Sequence, residues 1–209
     1  EFREMIARAK SYGLYTTPYT EARLLPEAAG DVLTDYEGML AQPPVRAATY
    51  GAVCTAEGCH RGRFGDWLVW YVSHMAKEYG SNGIYLDEMW MTGCSNPAHG
   101  CGYVGPDGKR RLTYALRAAN ETYRRLRQFF HDRGEPFWLT YHISCGRVPP
   151  LPTFGDCLLM LEERYTAVSQ NPDYLENTRP DQLRAHYPRA WGIPVVALPQ
   201  FKMSGDWMK

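Results

Sequence analysis

The sequence predicts an α/β fold, a (β/α)8 barrel of the TIM type of which these 209 residues form a part. Helix-like and strand-like patterns alternate along the chain, and this alternation predicts a mainly parallel sheet with helices outside it. Polar and aromatic residues come after each of the five predicted strands. In a barrel, such residues collect at the carboxyl ends of the strands, where ligands bind. Because a barrel needs eight strands, we expect residues 1–209 to be one incomplete segment of a barrel domain.

The N-terminal part of the chain contains a predicted helix, a predicted strand and a long segment without periodicity. Residues 1–12 place apolar side chains at helical spacing, and Gly13 ends this helix. Residues 14–19 form the next predicted element, a strand. Residues 21–63 contain several breakers of regular structure, among them the Pro43-Pro44 pair. A loop of this length is uncommon unless it is functional, so we expect it to form one wall of a cleft.

The rest of the chain has clearer patterns. Residues 64–79 are amphipathic, with apolar side chains at i, i+3 and i+4, and Gly80 ends this helix. A strand is predicted next at 84–86, and a second amphipathic helix covers 112–131. The last predicted elements are strands at 137–143, 157–161 and 193–198 and a short helix at 181–186. A doubly wound open sheet is the alternative architecture, but no strand is succeeded by a glycine-rich phosphate turn.

The composition limits the classes of partner. The chain has 23 basic and 23 acidic residues without a basic block, which predicts no nucleic-acid partner. No apolar run approaches the roughly 20 residues of a membrane span. The 15 Tyr and 6 Trp residues offer flat faces that suit stacking on sugar rings, although most of them belong to the core. We therefore predict a carbohydrate partner and leave the oligomeric state open.

The six cysteines leave two alternatives open. They are Cys54, Cys59, Cys94, Cys101, Cys145 and Cys157. The close pairs suit disulfides, which would favour a secreted or periplasmic protein. With His60 and His99 beside them they also suit a metal site, although neither spacing matches a CxxC knuckle. The chain starts inside a predicted helix with no Met or signal peptide, so we expect a segment of a longer protein.

The most informative stretch is the strand at 84–86 together with the residues directly after it. Two adjacent carboxylates, Asp87 and Glu88, end the strand, and Trp90 comes two residues later. The loop that continues to Tyr103 is too elaborate for a plain connector. Acids at a strand end, nearby aromatics and the absence of a cofactor motif together predict glycoside hydrolysis without a cofactor or a catalytic metal.

Adjacent acids are an unusual arrangement for this chemistry. Side chains of neighbouring residues in a strand point to opposite faces, so Asp87 and Glu88 serve one site only if the backbone departs from strand geometry. Such a pair fits best where the substrate supplies the nucleophile. The oxygen of a 2-acetamido group then attacks the anomeric carbon to form an oxazoline, while one acid donates a proton and the other orients the acetamido N–H.

The Tyr-Leu-Asp-Glu strand end and the loop from Cys94 to Tyr103 resemble the catalytic domain of glycoside hydrolase family 123. The resemblance implies a retaining, β-N-acetylgalactosaminidase-like enzyme. By this resemblance Glu88 is the general acid/base and Asp87 orients the acetamido group. It also implies a tyrosine in the acetamido pocket, for which Tyr141 is the first candidate and Tyr165 the second.

Further candidates for substrate binding come from the same strand ends. Trp90 is interpreted as a sugar platform because it lies so close to the acids in sequence. Glu162 and Glu163 come directly after the strand at 157–161. Three roles are open for them: binding of sugar hydroxyls, supply of a second catalytic carboxylate, or an ion pair with Arg164. His142 faces either the cleft or the barrel wall.

Three other interpretations remain open. In the first, Asp87 is itself the nucleophile, as in amylase-like and α-galactosidase-like barrels, with Glu163 or another carboxylate as the acid. In the second, the barrel binds glycans without catalysis. In the third, the cysteine and histidine loop forms a zinc hydrolase.

Overall fold

The computed structural model describes residues 1–26, 35–44, 46–50, 53–89, 91–143, 150–160 and 192–198, together with 162, 167, 171, 173–177, 179–181 and 184. The helices are α1 (Phe2–Ser11), α2 (Tyr36–Met39), α3 (Phe64–Tyr79), α4 (Leu116–Asp132) and α5 (Tyr174–Asn177). The strands are β1 (Tyr19–Glu21), β2 (Leu24–Pro26), β3 (Arg46–Tyr50), β4 (Val53–Glu57), β5 (Gly83–Asp87), β6 (Gly93–Cys94), β7 (Tyr103–Val104), β8 (Arg110–Arg111), β9 (Thr113–Tyr114), β10 (Trp138–His142), β11 (Cys157–Met160) and β12 (Val195–Ala197).

A five-stranded parallel sheet forms the centre of the molecule, in the order β1-β5-β10-β11-β12. Four of the five predicted strands are therefore confirmed, and the first shares only Tyr19 with β1; the carboxyl ends of all five strands lie along one edge. The first strand begins later than predicted. The N–H of Thr16 donates to Asn82 Oδ1 at 2.7 Å instead of joining the ladder, and Pro18 has no N–H to donate. Strand β1 ends at Glu21, so the carboxylate of Glu21 also lies at the carboxyl edge of the central sheet.

Helices α3 and α4 cover one face of this sheet. Leu68 of α3 and Leu126 of α4 are fully buried against Leu86 and Leu139 of the sheet. Helix α3 has the predicted bounds. Helix α4 starts at Leu116 instead of 112, because Thr113–Tyr114 is the strand β9 and pairs with β6. The sheet and its helices have the arrangement of a segment of a barrel, and the described residues contain five of the eight parallel strands that a complete barrel needs.

The segment 21–63 was predicted as a loop, and this prediction is wrong. Its described residues form an antiparallel sheet in the order β2-β4-β3, together with the short helix α2. These strands have three to five residues, which is too short for an alternating pattern to stand out. The loop after Asp87 likewise contains two small antiparallel pairings, β6-β9 and β7-β8.

The predicted helix at 181–186 lies largely outside the described residues. Only Asp181 and Arg184 of this range are described. Among the described helices, none has both the length and the apolar character needed to cross a membrane.

Candidate active site

Titratable side chains from four neighbouring strands of the central sheet meet at its carboxyl edge. They are Glu21 of β1, Asp87 of β5, His142 of β10, and Glu162 beyond β11. The two-residue period of a strand explains the segregation, because Ile84 and Leu86 point into the helix-covered core. The side chain of Asp87 points to the opposite face, and there the edge becomes a polar cleft.

Asp87 is the centre of this site. Its Oδ1 lies 2.7 Å from His142 Nδ1 and accepts the backbone N–H of Glu88 at 2.6 Å. Its Oδ2 lies 2.8 Å from the hydroxyl of Tyr19. Burial raises the pKa of Asp87, but the hydrogen bonds from His142, Tyr19 and the Glu88 N–H outweigh burial, so the pKa lies below its ordinary value. Asp87 is therefore ionised at neutral pH.

Glu21 is the neighbour of Asp87 across the β1-β5 ladder, and its environment acts in the opposite direction. Burial raises the pKa of Glu21, and the nearby charges of Asp87 and Glu88 raise it further, against a hydrogen bond with Tyr19. Its Oε2 is buried and has no hydrogen-bond partner among the described residues. The site thus contains one carboxyl group that favours ionisation and one that favours protonation.

The Tyr19 hydroxyl connects these two carboxyl groups. Tyr19 Oη lies 2.5 Å from Glu21 Oε1 and 2.8 Å from Asp87 Oδ2. A phenol has one hydrogen to donate, so both contacts are hydrogen bonds only when one carboxyl group carries a proton. The pKa of Glu21 is raised and that of Asp87 is lowered, so of these two carboxyl groups Glu21 is the one whose surroundings favour the proton.

His142 links the neighbouring strand ends. Its Nδ1 lies 2.7 Å from both Asp87 Oδ1 and Tyr85 Oη, and its Nε2 lies 3.0 Å from Glu162 Oε2. Only 2% of the side chain is exposed, while Glu162 is 43% exposed. With a carboxylate oxygen beside each ring nitrogen, the imidazole links Asp87 to Glu162 and holds Asp87 in place.

Glu88 adopts a backbone conformation that brings it into the same region. Its φ of 54° is in the left-handed region, which side chains other than glycine rarely adopt. This is the departure from strand geometry that the sequence required. The carboxylate of Glu88 forms an ion pair with Arg23, whose buried guanidinium also pairs with Glu57. The Glu88 side chain is therefore directed toward Arg23 and the antiparallel sheet.

Tyr141 is not part of this cleft, which corrects its predicted place in an acetamido pocket. Its side chain is fully buried on the helix-covered face, with its ring centroid 5.4 Å from that of Tyr123 in α4. The reason is the strand period: His142, the next residue, is the one that faces Asp87. Tyr19 provides the hydroxyl at Asp87 instead.

Trp90, Glu163 and Tyr165 lie outside the described residues, so their predicted roles remain predictions. Glu162 does lie at the site through its contact with His142.

Sequence reasoning missed Glu21, Tyr19 and Arg23. The signal for the first two was available, because Tyr19 and Glu21 alternate at the end of the first strand, but that strand was ended too early. Arg23 gave no signal, since its partners Glu57 and Glu88 are 34 and 65 residues away in sequence. Among the described residues, the cluster with metal-ligand geometry lies elsewhere and contains Cys59, Cys94 and His99.

Comparisons with known proteins agree with this fold. No family model matches the chain, and no curated protein matches it in sequence, so membership of family 123 is not established. Solved structures do match. One is a maltogenic α-amylase from Thermotoga neapolitana, with 10% identity and a TM-score of 0.56 over 95% of this chain and 40% of that one.

Two further structures show the same similarity. An α-galactosidase from Thermus thermophilus has 18% identity and a TM-score of 0.55, covering 97% of this chain and 40% of that one. An α-N-acetylgalactosaminidase from Bifidobacterium bifidum has 16% identity and a TM-score of 0.51, covering 85% and 27%. The chain thus spans less than half the length of these three structures. At such identities the similarity establishes a fold of the kind found in glycoside hydrolases.

Proposed function

We propose that this protein is a glycoside hydrolase whose reacting groups surround Asp87. The observation that carries the proposal is the pair of opposite pKa shifts in Asp87 and Glu21, two carboxyl groups that face one cleft from adjacent strands. Glycoside hydrolysis needs such a division, with one carboxylic acid to protonate the leaving oxygen and one carboxylate at the anomeric centre.

The proposed substrate is a 2-acetamido sugar, and Asp87 orients its acetamido group. Asp87 Oδ1 already accepts two hydrogen bonds, whereas Oδ2 has a contact from Tyr19 alone among the described residues. A carboxylate oxygen accepts about two hydrogen bonds, so Oδ2 retains capacity for an acetamido N–H. The acetamido oxygen then attacks the anomeric carbon, and the negative charge of Asp87 stabilises the oxazolinium that forms.

An aromatic platform accompanies this carboxylate. The Tyr19 side chain is 59% exposed, and its ring stacks on that of Tyr85 with centroids 5.4 Å apart. An aromatic ring with one face packed against another ring and the other face exposed to solvent suits stacking on the apolar face of a sugar. This arrangement supports a carbohydrate, in preference to a small charged metabolite, as the substrate.

Glu21 is the proposed proton donor, in place of Glu88. Burial and neighbouring negative charge keep a proton on Glu21, while Arg23 compensates the charge of Glu88. In this assignment Glu88 has a positioning role. Its N–H donates to Asp87, and its ion pair with Arg23 fixes the left-handed turn that aims this N–H.

A second candidate mechanism makes Asp87 the nucleophile. Two oxygens that contact one hydroxyl are at most about 5 Å apart, close to the roughly 5–5.5 Å spacing of carboxyl groups in retaining glycosidases. Asp87 would then form a glycosyl ester and act on sugars without an acetamido group. The carboxylate would add to the anomeric carbon as the protonated leaving oxygen departs, and water would later cleave the ester.

The two mechanisms differ in the species that inhibits or labels the protein. A thiazoline analogue of the oxazoline should inhibit competitively if the acetamido group is the nucleophile. A 2-fluoro glycosyl fluoride should instead leave a stable ester on Asp87, detectable by peptide mass spectrometry, if Asp87 is the nucleophile. Labelling of Asp87 without inhibition by the thiazoline would overturn the acetamido mechanism and leave the glycosidase proposal in place.

A further inference from the structure

A second cluster of reactive side chains lies under the loop that comes after Asp87 and Glu88. It consists of Cys59, Cys94, His99 and Cys101, all at most 8% exposed. Cys59 comes from the segment between β4 and α3, whereas the other three come from β6 and the turn after it. The fold therefore brings together potential metal ligands from segments that are 35 to 42 residues apart in sequence, the latter separation being that of Cys59 and Cys101.

Three of the ligand atoms have the spacing of a tetrahedral zinc site, and the fourth, Cys101 Sγ, lies beside two of these residues, Cys59 and Cys94. One ligand atom each of Cys59, Cys94 and His99 lies within 4.8 Å of the others, and His99 Nδ1 is 3.7 Å from Cys94 Sγ. Cys101 Sγ is 3.8 Å from Cys59 Sγ and also contacts Cys94. With Zn–S near 2.3 Å and Zn–N near 2.0 Å, tetrahedral ligand atoms are about 3.5–3.8 Å apart. A disulfide needs sulfur atoms about 2.05 Å apart, so the cluster does not contain one.

Hydrogen bonds from surrounding residues orient the nitrogen and sulfur atoms of the cluster so that they can bind a cation. His99 Nε2 lies 3.0 Å from the backbone oxygen of Glu37, so this nitrogen carries the hydrogen and Nδ1 presents a lone pair to the cysteines. Histidines that bind metals usually donate their other N–H in this way. The Asn96 N–H donates to Cys94 Sγ at 3.4 Å, and the Gly62 N–H donates to the backbone oxygen of Cys59 at 2.8 Å, so hydrogen bonds hold both cysteines in place.

The local backbone explains how the turn presents these ligands. Gly100 and Gly102 both have positive φ, at 64° and 77°, on either side of Cys101. This conformation is accessible to glycine and turns the Cys101 side chain back toward Cys59. The His-Gly-Cys-Gly sequence is therefore explained by the geometry of the cluster and does not require a role in sugar binding.

We propose that Cys59, Cys94, His99 and Cys101 bind one structural Zn²⁺. Four protein ligands close the coordination shell, as in structural zinc sites, and leave no position for a catalytic water. The ion would cross-link the segment before α3 and the loop that comes after Asp87 and Glu88. The proposal is independent of the substrate, because none of the four residues contacts Asp87 or Glu21 in the described structure.

The test is the metal content of the purified protein, measured by elemental analysis after growth with zinc and purification under reducing conditions. We expect about one zinc per chain, as one closed four-ligand site requires. Cys94→Ser and His99→Ala should lose the zinc. Cys157→Ala is the matched control, because Cys157 is a buried cysteine of β11 outside the cluster, and this variant should keep its zinc.

A second measurement on the unaltered protein covers the case in which the variants do not fold. A strong chelator should release the zinc, lower the thermal midpoint and make three further thiols reactive to a thiol reagent. Cobalt(II) exchanged into the site should show the charge-transfer absorption of thiolate ligands. Protein without zinc and with reactive thiols from the start would overturn the proposal, as would a Cys59–Cys101 disulfide found by mass spectrometry, or zinc retained in Cys94→Ser.

Discussion

At the scale of single residues, Asp87 and Glu21 occupy neighbouring strand ends but differ in their tendency to ionise. Asp87 is stabilised as an anion by three hydrogen bonds, while Glu21 is buried beside negative charge. The difference is a property of the surroundings, since both groups contact the same Tyr19 hydroxyl. In hydrolases with paired carboxyl groups, the surroundings of each group likewise decide which one acts as the acid.

The first prediction concerns the proton donor. Glu21→Gln should slow cleavage of substrates with poor leaving groups by roughly 100- to 10,000-fold, and much less for aryl leaving groups that need no protonation. The measurement is kcat/KM on both substrate types. Glu88→Gln is the comparison and should affect both types alike, because it disturbs the turn at Asp87. If the dependence on leaving group appeared in Glu88→Gln instead, Glu88 would be the donor and our assignment of Glu21 would be wrong.

The second prediction concerns pH. His142→Phe removes the main hydrogen bond that lowers the pKa of Asp87, so this pKa should rise. Since activity needs ionised Asp87, it is lost as the pH falls through this pKa, and the acid limb of kcat/KM should move to higher pH by about one unit. His131→Phe, at the exposed end of α4, is the control. An acid limb that stays in place in His142→Phe would show that Asp87 does not control it.

The third prediction concerns Tyr141, whose hydroxyl is buried without a hydrogen-bond partner among the described residues. Tyr141→Phe should leave turnover unchanged and should keep or increase the free energy of unfolding by up to about 2 kcal/mol, because an unsatisfied polar group is removed. Parallel kinetics and denaturant unfolding test this. A large loss of turnover at full stability would return Tyr141 to the acetamido pocket.

At the scale of elements, Arg23 joins the antiparallel sheet to the catalytic edge. Its side chain is 6% exposed and pairs with Glu57 of β4 and with Glu88 after β5. A buried guanidinium between two carboxylates has its charge compensated, but removing it leaves two negative charges close together in a region shielded from water. The turn that carries Glu88 therefore depends on a residue outside the central sheet.

The fourth prediction rests on this connection. Arg23→Gln should lower the free energy of unfolding by about 3–5 kcal/mol at neutral pH, as expected when one partner of a buried ion pair is lost. Arg124→Gln is the control, since Arg124 forms an exposed pair with Glu121, and it should change stability much less than Arg23→Gln does. Denaturant unfolding of both variants provides the comparison. Equal effects would mean that the Arg23 cluster contributes no more than a surface pair.

At the scale of the whole molecule, the strongly periodic parts of the fold were predictable and the tertiary contacts were not. Helix α3 and the strands β5, β10 and β11 could be predicted from apolar spacing, because each buries apolar side chains in the core. The sheet β2-β4-β3 was missed because its strands are short. The position of Asp87 at a strand end was predictable from sequence, whereas its partnership with Tyr19 and Glu21 depends on strand register, which no local pattern reveals.

The central claim is that the edge around Asp87 hydrolyses glycosidic bonds of 2-acetamido sugars. The most direct test is turnover of aryl glycosides by the protein at its full natural length, comparing N-acetylgalactosamine and N-acetylglucosamine with galactose and glucose, beside an Asp87→Asn variant. We predict turnover restricted to the 2-acetamido sugars and lost in Asp87→Asn. Cleavage of sugars without the acetamido group would contradict the acetamido mechanism, and binding of glycans without any turnover would contradict the assignment as a hydrolase.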